Sequence, residues 1–122
     1  MKQIYKILSL KSLILSIFIL FMGTSIYAET TFEKIKRTGK VTVGTEAAFP
    51  PFEFVEDGKI VGYGKDILDY IIADLGVELN QLDLPWQGIL PGVLAGKFDF
   101  VATSVSIRAE RAKKYAFTVP IA

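Results

Sequence analysis

The residues best equipped for chemistry stand together in "FDFVATSVSIRAER", residues 98–111. The stretch begins with strand-like alternation and then presents Thr103, Ser104 and Ser106, followed by Arg108 and Arg111. Hydroxyls and backbone amides donate hydrogen bonds, and a guanidinium grips a carboxylate through two parallel N–H bonds, so this set suits an anionic ligand. A plainer account fits the same residues: Ser106 caps a helix over "RAERAKKY" and Arg111 is a solvated residue on its face.

Other groups widen the candidate set. In "AAFPPFEF", Phe49 and Phe52 flank two prolines that fix the backbone, which makes either a rigid aromatic wall for a ligand or ordinary core. Trp86, the single tryptophan, follows Pro85 at a helix start and carries the same two readings. The glycines of "GYGKD", residues 62–66, fail as a phosphate loop because Asp66 stands where Ser or Thr is needed. A dinucleotide fingerprint fails too, since Ile67 replaces its third glycine, so these glycines are expected to shape a helix entry. Asp66, Asp69 and Asp74 follow the polar face of a helix and read as solvated rather than as metal ligands. The chain contains neither His nor Cys, which removes His-activated nucleophiles, zinc sites of the usual kind and disulfides. No metal and no cofactor are expected.

These residues need elements to position them. "TFEKIKRTG" predicts a short amphipathic helix with Phe32 and Ile35 inward and Gly39 as its stop. "KVTVGT" reads as a strand, and "FEFVEDGKIVG" as a hairpin turning at Asp57-Gly58. "KDILDYIIADLG" reads as a helix with Ile67, Leu68, Ile71, Ile72 and Leu75 inward. The strand "VELNQLDL", a helix from Pro85 and the strand "FDFVA" complete an α/β alternation. In open α/β sheets ligands bind beyond the carboxyl ends of strands. Three such ends, "GTEAAFPPF", "LPWQG" and "TSVSIRAER", therefore converge on one predicted pocket.

Residues 1–28 read as a leader: Lys2, Lys6 and Lys11 precede the apolar "SLILSIFILFMG", and "SIYA" ends at Ala28. Removing it takes three of the 14 Lys and Arg but none of the 13 Asp and Glu, leaving 11 against 13, or net −2. That balance argues against binding a nucleic-acid backbone. An exported chain without cysteine has no site for lipid attachment at a leader cysteine, so a free periplasmic protein is expected.

Four blocks, "VGTEAAFPPFEF", "DGKIVGYGKDI", "GILPGVLAGKFDF" and "SVSIRAERAKKYAFTVPI", resemble in order and spacing the N-terminal half of the family 3 extracellular solute-binding proteins. These are the amino-acid-binding components of ABC importers, built as two α/β lobes on a hinge with ligand in the cleft between them. The resemblance implies a periplasmic-binding-protein-like lobe at residues 29–122, one open sheet flanked by helices, with the second lobe missing or truncated. It implies that Arg111 holds a ligand carboxylate beside Ser106, that Thr103 and Ser104 supply hydrogen bonds, that Phe49 and Trp86 sandwich the ligand, and that Glu46 contacts an amino group or polar side chain. Gly64 departs from the family's usual Asp or Glu, and Arg108 from its usual Thr or Ser. The implied role is capture of a polar amino acid for an inner-membrane ABC permease, without catalysis. A cyclohexadienyl dehydratase-like enzyme and a ligand-sensing module are the alternatives on the same fold. Because closure needs two lobes, the 29–122 segment alone is expected to bind amino acids weakly or not at all.

Overall fold

The computed structural model describes residues 28–122, so all but the last residue of the leader lie outside it. The first helix, α1 (Thr31–Thr38), forms because Thr30 and Glu33 cap it reciprocally, each side chain accepting the other's backbone N–H. It stops at Gly39, whose left-handed backbone (φ 67°) no β-branched residue would tolerate. Only Ile35 is buried. Phe32, expected inward, is 52% exposed and lies under the ammonium of Lys36, 4.9 Å from its ring centroid. A helix of eight residues presents one row to the sheet, and that row is centred on Ile35.

The sheet beneath is parallel, with β1 (Lys40–Thr45) between β5 (Glu78–Asp83) and β6 (Phe100–Val101). Val41 and Val43 have no exposed surface, as befits a central strand covered on both faces. They form the core with Ile35, Leu68 and Ile72. One crossover runs from β1 to β5 on one side, and the next carries the chain to β6 on the other. The order therefore reverses at β1, and a crevice opens beyond its carboxyl end.

The first crossover carries a second sheet, an antiparallel meander of β2 (Ala48–Phe49), β3 (Glu53–Glu56) and β4 (Lys59–Val61). The expected single open sheet is thus accompanied by this smaller one, whose β3–β4 hairpin turns at Asp57 (φ 50°) and Gly58 (φ 74°). Next comes α2 (Tyr63–Leu75), entered through Gly62 at φ 118°. A Cβ at Gly62 would stand 2.4 Å from the Phe52 carbonyl oxygen, so the helix entry does require glycine. Leu68 and Ile72 are buried, whereas Ile71 and Leu75, also expected inward, are exposed. The three-stranded sheet is narrow, so it covers one i, i+4 row of α2 and leaves the flanking rows bare.

The other face is filled from α3 (Trp86–Leu94), whose Ile89 is fully buried, and from Phe98. The strand expected from Phe98 begins at Phe100 instead. Phe98 precedes it because its ring occupies a slot between Gly44 and Gly92, where a Cβ on either glycine would come within 2.6 Å of the ring. Asp99 then locks the turn: its N–H donates to the Thr42 carbonyl, and its carboxylate accepts from Thr42 N–H at 2.8 Å and Lys34 Nζ at 2.7 Å. Burial pushes the Asp99 carboxyl up, but the hydrogen bonds from Lys34 and the Thr42 amide outweigh it and hold the group below 3.8.

Candidate functional site

Three strand ends build the site, and Thr45 ties them together. Its fully buried hydroxyl donates to the Ala102 carbonyl at 2.8 Å and accepts from Gln81 Nε2 at 2.9 Å, which joins the ends of β1, β5 and β6. Leu84 N–H donates to the Thr45 carbonyl, and the Asp83 carboxylate accepts Ala47 N–H at 3.0 Å. The backbone leaving β1 is thereby fixed on both sides of Glu46. An open cleft of about 440 Å³ lies beyond, lined by Glu46, Phe49, Trp86, Thr103, Ser104, Ser106, Arg108 and Arg111. All seven residues singled out from the sequence are brought together there. Arg108 joins them on the exposed side.

The aromatic wall is braced from behind. Phe49, 52% exposed, stacks on Phe52 at 5.6 Å, and Phe52 meets Tyr63 edge to face at 6.3 Å. The Pro50–Pro51 peptide is cis, and Phe52 N–H donates to the Phe49 carbonyl across the turn. Across the cleft, Trp86 opens α3 behind its Pro85 cap.

Arg111 is held at two points. Its guanidinium carbon lies 5.2 Å from the Trp86 ring centroid, and Nη1 donates to the Ser106 carbonyl at 3.0 Å. A guanidinium has five N–H donors, so most of the fork stays open to the cleft. The plainer account of this segment does not hold in the structure. The last helix, α4 (Ala109–Ala112), is preceded by Arg108 rather than capped by Ser106, and Arg111 is half-buried.

The hydroxyls need a correction. Thr103 Oγ1 donates to the Glu46 carbonyl at 3.4 Å, and Ser104 Oγ donates to Glu53 Oε1 at 2.9 Å. Their protons are committed to the protein, so towards the cleft these two side chains offer lone pairs. Donors for an anion come instead from Arg111, Arg108 and Ser106. The sequence reading also missed Glu53, only 2% exposed, which lies behind Ser104. In "PFEF" it sits between two aromatics on an alternating strand, a pattern that sends it to the opposite face from both but does not say that this face is covered. Burial pushes its carboxyl above 4.5, against the hydrogen bonds from Ser104 and with help from the negative charge of Glu46.

Outside the cleft, Asp69 pairs with Lys65 one turn away on α2, and Asp66 lies in the first turn of that helix. These carboxylates do not enter the site.

The sequence profile of the bacterial extracellular solute-binding proteins, family 3, matches residues 41–122. The chain is 36% identical over 93 residues to the L-cystine-binding protein TcyJ of Escherichia coli (strain K12), an alignment covering 75% of this chain and 35% of that protein. It spans about a third of the length of such curated relatives. Among solved structures, the arginine-bound form of domain 1 from TmArgBP, the ArgBP of T. maritima, aligns at 42% identity with a TM-score of 0.68. That alignment covers 71% of this chain and 70% of the domain. The ancestral amino-acid-binding protein AncCDT-1, a precursor of cyclohexadienyl dehydratase, aligns at 35% identity with a TM-score of 0.71, over 75% of this chain and 40% of its own.

Proposed function

Because the chain belongs to the bacterial extracellular solute-binding proteins, family 3, we propose that it captures a polar amino acid for ABC-type import, without catalysis. Residues 29–122 serve as the N-terminal lobe of the binding domain, delivered to the periplasm by a cleaved leader at residues 1–28, and an inner-membrane permease takes the ligand on. The observation that carries this reading is the Arg111 fork, braced by Trp86 and the Ser106 carbonyl yet with donors free in an open cleft. A bidentate cation between two aromatic walls, with Glu46 at the mouth, suits a zwitterion: the carboxylate goes to Arg111, and the N–H donors go to Glu46 and the lone pairs of Thr103 and Ser104. An arginine-bound form of a lone domain 1 supports binding by a single lobe. It speaks against the expectation that residues 29–122 alone bind amino acids weakly or not at all.

A thermal-shift screen of the amino acids tests the reading. A true ligand at 100 times its Kd stabilises the folded chain by about 2.7 kcal/mol. No shift with any amino acid, by a chain shown to be folded, would set the reading aside. The likeness to AncCDT-1 gives the enzyme alternative one foothold, with Glu46 as its acid or base. Turnover of prephenate or arogenate that is lost in Glu46→Gln would favour it.

A further inference from the structure

Glu53 is a buried carboxyl for which the ligand cleft gives no direct use. It belongs to β3 in the outer sheet, is 2% exposed and does not line the cleft. One oxygen accepts the Ser104 hydroxyl at 2.9 Å, and the other, Oε2, has no hydrogen-bond partner. A buried carboxyl left half-satisfied costs stability, so a purely structural sequence would place an apolar residue there. Space has also been cleared for it. A Cβ at Gly64 would stand 2.7 Å from Glu53 Oε1, so a side chain in this first turn of α2 would push the carboxyl aside.

We propose that Glu53 is a positioning residue for ligand binding: it fixes the rotor of Ser104, so that this hydroxyl presents oxygen lone pairs to the cleft. Without that partner the hydroxyl would be free to turn its proton inward, where it would repel a ligand N–H instead of accepting from it. Gly64 is the second part of the device, because it keeps the carboxyl within reach of Ser104. The proposal rests on the amino-acid-binding reading above.

Calorimetry on the full chain, with L-arginine as the probe, separates the two. Heat of binding in the unmodified chain bears on the amino-acid reading, and the pattern among variants bears on Glu53. Glu53→Leu and Ser104→Ala should each weaken binding about tenfold, and the double variant should bind no worse than either single one. Glu53→Gln, which retains an acceptor for Ser104, should stay within about threefold. Gly64→Ala should weaken binding by crowding the carboxyl, and it reports even if Glu53→Leu does not fold. A folded Glu53→Leu or Gly64→Ala that binds like the unmodified chain overturns the proposal, as do effects of Glu53→Leu and Ser104→Ala that simply multiply. A ligand-independent measurement decides the matter if L-arginine does not bind. Carbon-13 NMR of the glutamate carboxyls should show the Glu53 midpoint rising further in Ser104→Ala, and an unchanged midpoint overturns the proposal.

Discussion

Two buried carboxylates, Asp99 against the middle of β1 and Glu53 behind Ser104, live in opposite surroundings. Asp99 has an ammonium and a backbone amide on it and titrates low, whereas Glu53 has the Ser104 hydroxyl on one oxygen and no hydrogen-bond partner on the other and titrates high. The lesson is a division of labour. Polar groups on the Asp99 side are spent on one another and hold the sheet, while those on the Glu53 side keep valences in reserve beside an open cleft. Removing a group from the first region should cost stability, and removing one from the second should cost binding.

The largest effect expected is at Arg111. Arg111→Ala should weaken ligand binding by about 30-fold to several thousand-fold while leaving the melting temperature of the free chain nearly unchanged, because a buried charge pair loses about 2 to 5 kcal/mol with one partner. Arg111→Lys should not rescue it, since an ammonium cannot reproduce the fork. Arg108→Ala should cost much less. Equal losses at both arginines in a titration would erase the distinction between them.

Asp99→Ala should show the converse. It leaves the Thr42 amide without its acceptor and should destabilise by about 1 to 3 kcal/mol in denaturant unfolding, with ligand affinity per folded molecule preserved. Lys34 is half exposed, so Lys34→Ala should cost less than about 1 kcal/mol. If the lysine mattered as much as the amide, the staple would be the ion pair rather than the backbone bond.

Acidity sharpens the contrast further. Asp99 is lowered, so its contribution is present above 3.8 and lost as pH falls through its folded value. Glu53 is raised, so its contribution is present below 4.5 and lost as pH rises through its folded value. Asp99→Asn should therefore flatten the acid limb of the stability profile, and Glu53→Gln the limb that descends above 4.5. Unfolding curves measured between strongly acidic and neutral pH would show whether the two limbs respond separately. The smallest effect belongs to Phe32, half exposed on α1, where Phe32→Ala should change stability by no more than about 1 kcal/mol.

Much of this was legible in the residues. The α/β alternation, the Asp57-Gly58 hairpin and the capped helices follow from local period and turn chemistry, and three strand ends named a pocket before any coordinates. What stayed hidden depends on distance through space. Nothing local says that Ile71 and Leu75 lack a sheet wide enough to cover them, or that the Ser104 proton points away from the cleft. Phe98 reads as the first residue of a strand because alternation cannot register a slot made by two glycines 48 positions apart. Glu53 was missed for the same reason: its partners, Ser104 and the bare turn at Gly64, arrive from other elements.

The Phe98 slot also bears on how such a sequence can vary. Gly44 and Gly92 fit because one ring fills the space that their side chains would need, so the three positions form a single exchangeable unit. A first step that enlarges either glycine alone meets a closed door, and so does one that only trims the ring, which leaves a void. In a randomised library, survivors bearing Ala at 44 or 92 should therefore carry a smaller residue at 98 as well. The route between such packings runs through paired changes, and this stretch of the chain should drift more slowly than its burial alone implies.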